Sequence, residues 1–229
     1  MRTTSCRALL AAALLCLAGC STVHHVTGPL PWAPPAPNSP SNAIRLFEWG
    51  WNHRNLDAFE NLLTADFRFV FAPNDSAGNP FRDAPIGREE MLACLEHLFS
   101  GGGPAPPATS IHLVLDPALI ALPDSRPDMN PRWHKEILTS VDLTIRTGDL
   151  TEYRVTGNAR FVVVRGDHAI LPAGSGLGPD STRWYLLQWN DETLTGGGAL
   201  ARALPAMPLS AGNPTWGQIL AFYYPGLRR

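Results

Sequence analysis

The chain has 229 residues, 45% of them hydrophobic and 17% charged, with 18 basic against 20 acidic side chains and a formal net charge of −2. That balance excludes the basic footprint of a nucleic-acid binder and a purely electrostatic hold on an anionic membrane. The length suits one domain with insertions, or at most two small ones, and is enough to bury a single core.

The first twenty residues have the order of a secretory signal. Arg2 and Arg7 supply a positive start, Ala8 to Ala18 run without charge, and Gly19-Cys20 closes the run with small residues. The run falls short of the roughly 20 residues that span a bilayer. Leu17-Ala18-Gly19-Cys20 resembles the lipobox of bacterial lipoproteins, which are cut before a Cys that then carries the lipid. The resemblance implies a signal peptide over 1–19, a lipid on Cys20 as the membrane contact, and, since Ser21 and not Asp follows, an outer-membrane address in a cell that has one. Cleavage removes Arg2 and Arg7, so 16 basic residues face 20 acidic ones, near −4. It also removes Cys6 and Cys16. Cys94 is then the one cysteine besides Cys20, and it sits in a helical pattern with Met91, Leu95 and Leu98 as a small buried apolar residue.

Residues 20–40, with six prolines from Pro29 to Pro40, predict an extended tether. His24-His25 lies on it without further ligands at a fixed spacing, and no metal or cofactor is expected. The domain is expected over 41–229. Ser39-Pro40 opens a helix with Ile44, Phe47 and Trp51 on one face. Asn52-His53-Arg54-Asn55 ends it, and Asn55 caps a second helix carrying Leu56, Phe59, Leu62 and Leu63. Phe67, Phe69 and Phe71 alternate as a half-buried strand. Arg88 to Phe99 is a third helix, ended by Gly101-Gly102-Gly103.

The remainder reads as strands: Ile111 to Leu115, Ile137 to Arg146, Tyr153 to Val163 after a turn at Gly148-Asp149, and Arg183 to Trp189. Residues 117–132 form a Pro- and Asp-rich insertion. Residues 166–181 and 194–214 read as loops, and Trp216 to Tyr224 as a closing strand.

This order resembles the nuclear transport factor 2-like superfamily, with its SnoaL-like cyclases and ketosteroid isomerases. The local match is Asn52-His53-Arg54-Asn55-Leu56-Asp57-Ala58-Phe59 through Leu62-Leu63-Thr64-Ala65-Asp66. Trp184, Trp189 and Asn190-Asp191-Glu192 look like the family's later strand with its acidic turn. The resemblance implies an α+β fold: a curved antiparallel sheet against about three N-terminal helices, forming a cone with a pocket at its open end. In the isomerases a Tyr on the first helix and an Asp at the end of the first strand carry the chemistry. The matched positions here are Phe47 and Phe71, so that catalysis is not carried over. The resemblance makes Phe47, Trp51, Phe69 and Phe71 the expected wall of an apolar pocket.

Asp142 and Arg146, four residues apart on one strand face, and His112, on another strand, are the candidate acid–base residues. Alternation places the strand face of Ser140, Asp142, Thr144 and Arg146 in solvent. His134-Lys135-Glu136 reads as a solvated run. Gly174-Ser175-Gly176-Leu177-Gly178 lacks the spacing of a nucleophile elbow, and Gly101-Gly102-Gly103 follows a helix instead of opening one. The expectation is a lipid-anchored envelope domain binding an apolar small molecule or a protein partner, and no nucleic acid. The alternative is a SnoaL-like cyclase, isomerase or hydrolase using Asp142 or His112. The oligomeric state stays open, a dimer included.

Overall fold

A computed structural model describes residues 33–103, 105–173, 180–194 and 213–228. The signal segment, most of the tether, Cys20, the Gly174–Gly178 stretch and most of the loop expected over 194–214 lie outside the described residues. No described helix is long and apolar enough to cross a membrane.

Helix α1 (Pro40–His53) begins as expected, with the Ser39 hydroxyl accepting from the Asn42 N–H at 3.1 Å and Pro40 in the first turn. Contacts of the domain start before residue 41: Pro37 is buried, and its carbonyl accepts the Trp184 N–H at 2.8 Å. Asn55 caps α2 (Leu56–Glu60), accepting from the Ala58 N–H at 2.8 Å. Two side chains of α1 also reach a strand. Asn52 exchanges two hydrogen bonds with the backbone of Leu113, at 2.6 and 2.9 Å, and Glu48 accepts the Leu115 N–H at 2.9 Å. These side chains satisfy a strand edge that would otherwise present open backbone groups. Helix α3 (Arg88–Ser100) buries Met91, Leu92, Cys94, Leu95, Leu98 and Phe99.

Six strands form a curved sheet: β1 (Leu63–Val70), β2 (Ala108–Leu115), β3 (Leu122–Pro123), β4 (His134–Thr147), β5 (Glu152–Arg165) and β6 (Trp184–Leu194). The order is β1-β6-β5-β4-β2, with β3 added beside β4. The expectation of a wholly antiparallel sheet is corrected here, because β1 pairs with β6 in parallel. A crossover of more than a hundred residues separates those two strands, so nothing in local sequence announced their pairing. Asn190-Asp191-Glu192 is likewise no turn: β6 runs through it to Leu194, paired with β5. The closing strand at Trp216 is a helix, α4 (Trp216–Tyr223). Its capping box joins Thr215 and Gln218, with the Thr215 hydroxyl accepting the Gln218 N–H at 3.0 Å and the Gln218 side-chain oxygen accepting the Thr215 N–H at 3.3 Å.

One sheet face carries Phe69, Phe161, Trp189, Leu143 and Ile145 against α1, α3 and α4. Phe47 of α1 packs on Trp189 at 5.0 Å and on Phe161 at 4.9 Å, and Phe69 packs on Trp189 at 4.7 Å. Removing a buried Phe side chain costs about 3–5 kcal/mol. At about 2–4 °C per kcal/mol for a domain of this size, Phe69→Ala is expected to lower Tm by roughly 10 °C in calorimetry, whereas a shift of under a degree or two refutes the inward assignment of Phe69.

Candidate functional site

The expected pocket wall is a filled core. Phe47, Trp51 and Phe69 are all but inaccessible, and only Phe71 borders one of the two principal clefts. The reason is α4. Its Trp216 lies 4.4 Å from Trp189, 5.2 Å from Trp51 and 5.8 Å from Phe47, ring centre to ring centre. Ile219, Leu220 and Tyr223 follow it into the core. The cone predicted from the resemblance is closed by the protein's own C-terminal helix.

The start of α4 holds the most unusual polar group of the molecule. Asp191 is 1% exposed, on the inward face of β6 two residues beyond Trp189. One carboxylate oxygen accepts the Thr193 N–H at 2.9 Å and the Thr193 hydroxyl at 2.5 Å, and the other accepts the Gly217 N–H at 2.7 Å. The Trp216 N–H donates to the Thr193 hydroxyl at 2.9 Å. Beside them Asp75, also buried, accepts the Thr215 hydroxyl, the Ala77 N–H at 2.9 Å and a Gln218 side-chain N–H at 3.3 Å. Gly217 is required by this crowding, since a Cβ there would meet a Phe71 ring carbon at 2.5 Å and an Asp191 oxygen at 3.1 Å. Burial pushes the Asp191 carboxyl up to about 6, against the pull of its Thr193 and Gly217 hydrogen bonds and with the charge of Asp75 adding to the rise. The acid is raised, yet both oxygens are spent on the fold. Sequence reasoning passed over Asp191 as part of a turn, although the alternation Trp189, Asp191, Thr193 carries the signal of an inward acid.

The candidate acid–base residues lie elsewhere. Asp142, Arg146 and His112 are all exposed, on the outward sheet face. Asp142 accepts two hydrogen bonds from Arg154, at 2.9 and 3.2 Å, and Arg146 pairs with Glu152 at 2.7 Å. His112 stands opposite Thr144 in the β2–β4 register. They do not converge in a cavity. Cys94 is fully buried, and burial, with the Glu90 charge, pushes its thiol up to about 12, so it is no nucleophile. Among the described residues no group of three or more His, Cys, Asp or Glu side chains is placed to hold a metal.

Two clefts remain. One, of about 270 Å³, is bordered by Val70, Phe71, Gly78, Phe81, Arg82 and Pro85, with Phe71 and Phe81 stacked at 5.0 Å. The other, of about 350 Å³, opens on the outward sheet face beneath the 117–133 insertion, and its floor includes Val164, Leu187 and Gln188. Arg126 of the insertion is held there by a bidentate pair with the buried Asp124 and by Gln188, whose side-chain oxygen accepts its N–H at 3.0 Å. Burial alone would raise the Asp124 carboxyl. The hydrogen bonds and charge of Arg126, with His134 nearby, hold it below the usual range. His134 and Lys135 are half-buried and Glu136 is buried, bonded to Ser125 at 2.9 Å and to Arg160, so the expected solvated run is a built part of this face.

No protein-family model matches the chain, and no curated protein matches it. Solved structures resemble it in fold. A nuclear transport factor 2-like superfamily protein from Salmonella enterica matches at 11% identity, over 69% of this chain and 91% of its own, with a TM-score of 0.44. A Novosphingobium aromaticivorans protein provisionally named a scytalone dehydratase matches at 12% identity, over 72% and 92%, with a TM-score of 0.45. A protein of unknown function from Mycobacterium tuberculosis matches at 8%, over 80% and 83%, with a TM-score of 0.46. Likenesses this remote carry no inference about activity. The α+β assignment stands on the strand order and helix packing above, which follow the element order expected of a nuclear transport factor 2-like domain as far as β6.

The raised Asp191 gives a pH signature. Its folded pKa of about 6 exceeds the ordinary 3.8, so the stability it contributes is full below about 4, declines as pH rises, and is gone above about 6. Between those limits wild type is expected to lose about 1.4 kcal/mol per pH unit relative to Asp191→Asn, read by chemical denaturation at each pH. Parallel curves for the two proteins would show that Asp191 does not titrate in this window.

Proposed function

We propose that this chain is a lipid-anchored envelope protein whose domain binds a partner molecule on its outer surface and performs no chemistry inside its cone. The carrying observation is Trp216, which fills the interior against Phe47, Trp51 and Trp189. Supporting it, the isomerase positions are Phe47 and Phe71, and Asp191, the one carboxyl raised among the described residues, has both oxygens engaged within the fold. General acid–base catalysis needs a group within reach of a substrate proton, and a sealed carboxylate has none. The lipobox ending at Cys20 supports the address, and the prolines after it support a spacer between membrane and domain.

Two measurements test this reading. Mass spectrometry of the membrane fraction is expected to find an acylated Cys20 peptide, and a Cys20→Ser chain is expected in the soluble fraction. Wild type recovered free of lipid would remove the anchor. A thermal-shift screen of full-length protein against fatty acids, sterols and polycyclic aromatics is expected to show no stabilisation through the cone. Trp216→Ala is expected to gain it, because truncating a buried aromatic leaves a dry apolar cavity. A ligand that binds wild type and is lost on Trp216→Ala, or any compound turned over, would sink the proposal.

A further inference from the structure

The outward cleft of about 350 Å³ sits at the lower end of the roughly 300–1,000 Å³ typical of small-molecule sites. Its composition is two-sided. Met129, Val164, Ile170 and Leu187 give it an apolar part, while Arg68, Arg126, His134, His168 and Gln188 give it donors. We infer that this cleft binds a small ligand bearing one anionic group, a carboxylate or a phosphate, with a short apolar body. The inference rests on the reading of the domain as a surface-binding module.

Three observations carry it. First, Arg68 on β1 lines the cleft, is exposed, and makes no hydrogen bond or ion pair with the described residues. A guanidinium offers five donors in a fork that matches a carboxylate or phosphate, and here the fork is unspent. Second, the His134 Nδ1 is buried and has no hydrogen-bond partner among the described residues. A buried polar atom without a partner is unfavourable, and a ligand that meets it removes that penalty. Third, the cleft is pre-organised. Asp124 and Gln188 fix Arg126, and Ile170 is tied to β1 through the Ala65 N–H, which donates to the Ile170 carbonyl at 2.7 Å.

Further cations lie close to the cleft. The Arg132 and Arg165 guanidiniums lie over the Trp133 ring at 5.4 and 5.3 Å, and His168 packs on the same ring at 4.1 Å. Asp66 is the one acidic side chain lining the cleft, which favours a singly charged ligand over a multiply charged one.

The test is calorimetric titration of the full chain in an uncharged detergent at pH 6.5, with hexanoate, inorganic phosphate and hexanol as probes. Hexanoate or phosphate is expected to bind and hexanol not. Arg68→Gln is expected to weaken the anion by about tenfold or more, the scale of a lost charge-assisted pair, while Arg154→Gln, on the same sheet face outside the cleft, leaves it unchanged. The tighter of the two anions names the source chemistry. His134 ring nitrogen shifts that follow the titration would place the anion at Nδ1. Binding unaffected by Arg68→Gln, hexanol binding as tightly as hexanoate, or no binding of either anion would overturn the inference. Failure here, with the cone still refusing apolar ligands, sinks the cleft alone. An apolar ligand entering the cone sinks the reading beneath it.

Discussion

Everything else in this domain is arranged around one indole. Trp189 of β6 touches Phe69 of β1, Phe161 of β5, Phe47 and Trp51 of α1, and Trp216 of α4, with ring centres 4.4–6.2 Å apart. Five elements from distant parts of the chain meet at that ring, so it is the point where the parallel β1–β6 pairing, α1 and α4 are fixed to one another. Edge-to-face pairs of this kind add about 0.5–1.5 kcal/mol each beyond the area they bury. The indole N–H groups of Trp51, Trp189 and Trp216 are buried without acceptors among the described residues. Ring faces at these tilts offer only weak N–H···π compensation. The gain from burying the large rings must therefore exceed the cost of those unpaired donors.

The polar junction at the start of α4 complements that packing. A buried carboxylate is costly unless its lone pairs are met, and Asp191 meets them with backbone and hydroxyl groups that exist only when α4 is docked in one register. Apolar residues alone would let an eight-residue helix slide or rotate over the aromatic surface. Asp191, Asp75, Thr193, Thr215 and Gln218 permit one position, with Gly217 against Phe71. The aromatic cluster supplies the driving force and the acidic junction supplies the geometry.

Much of this was legible in the chain. Ser39-Pro40 and Asn55 marked helix starts because capping chemistry is local, and Phe67, Phe69 and Phe71 showed the inward face of β1 because the two-residue period is local as well. The solvent face of β4 followed from the same alternation. The parallel pairing of β1 with β6 was not legible, since it joins segments separated by most of the domain. Trp216 to Tyr224 was read as a strand because its aromatic and β-branched content outweighed a capping box, Thr215 with Gln218, whose two residues were there to be read. Asp191 was missed for a related reason: an acidic triplet suggests a turn, and only strand pairing shows that its middle member points inward.

That pattern of success and failure bears on function. The features legible from sequence are the helix starts and strand faces of the core. Helix α4, which the sequence did not show as a helix, and the 117–132 insertion, which it did show, are additions to that core. One fills the cavity that such a cone would otherwise offer, and the other builds a donor-lined cleft on the opposite face, where Arg126 is locked and Arg68 is not. Likeness of fold describes the shared core and does not by itself assign a function.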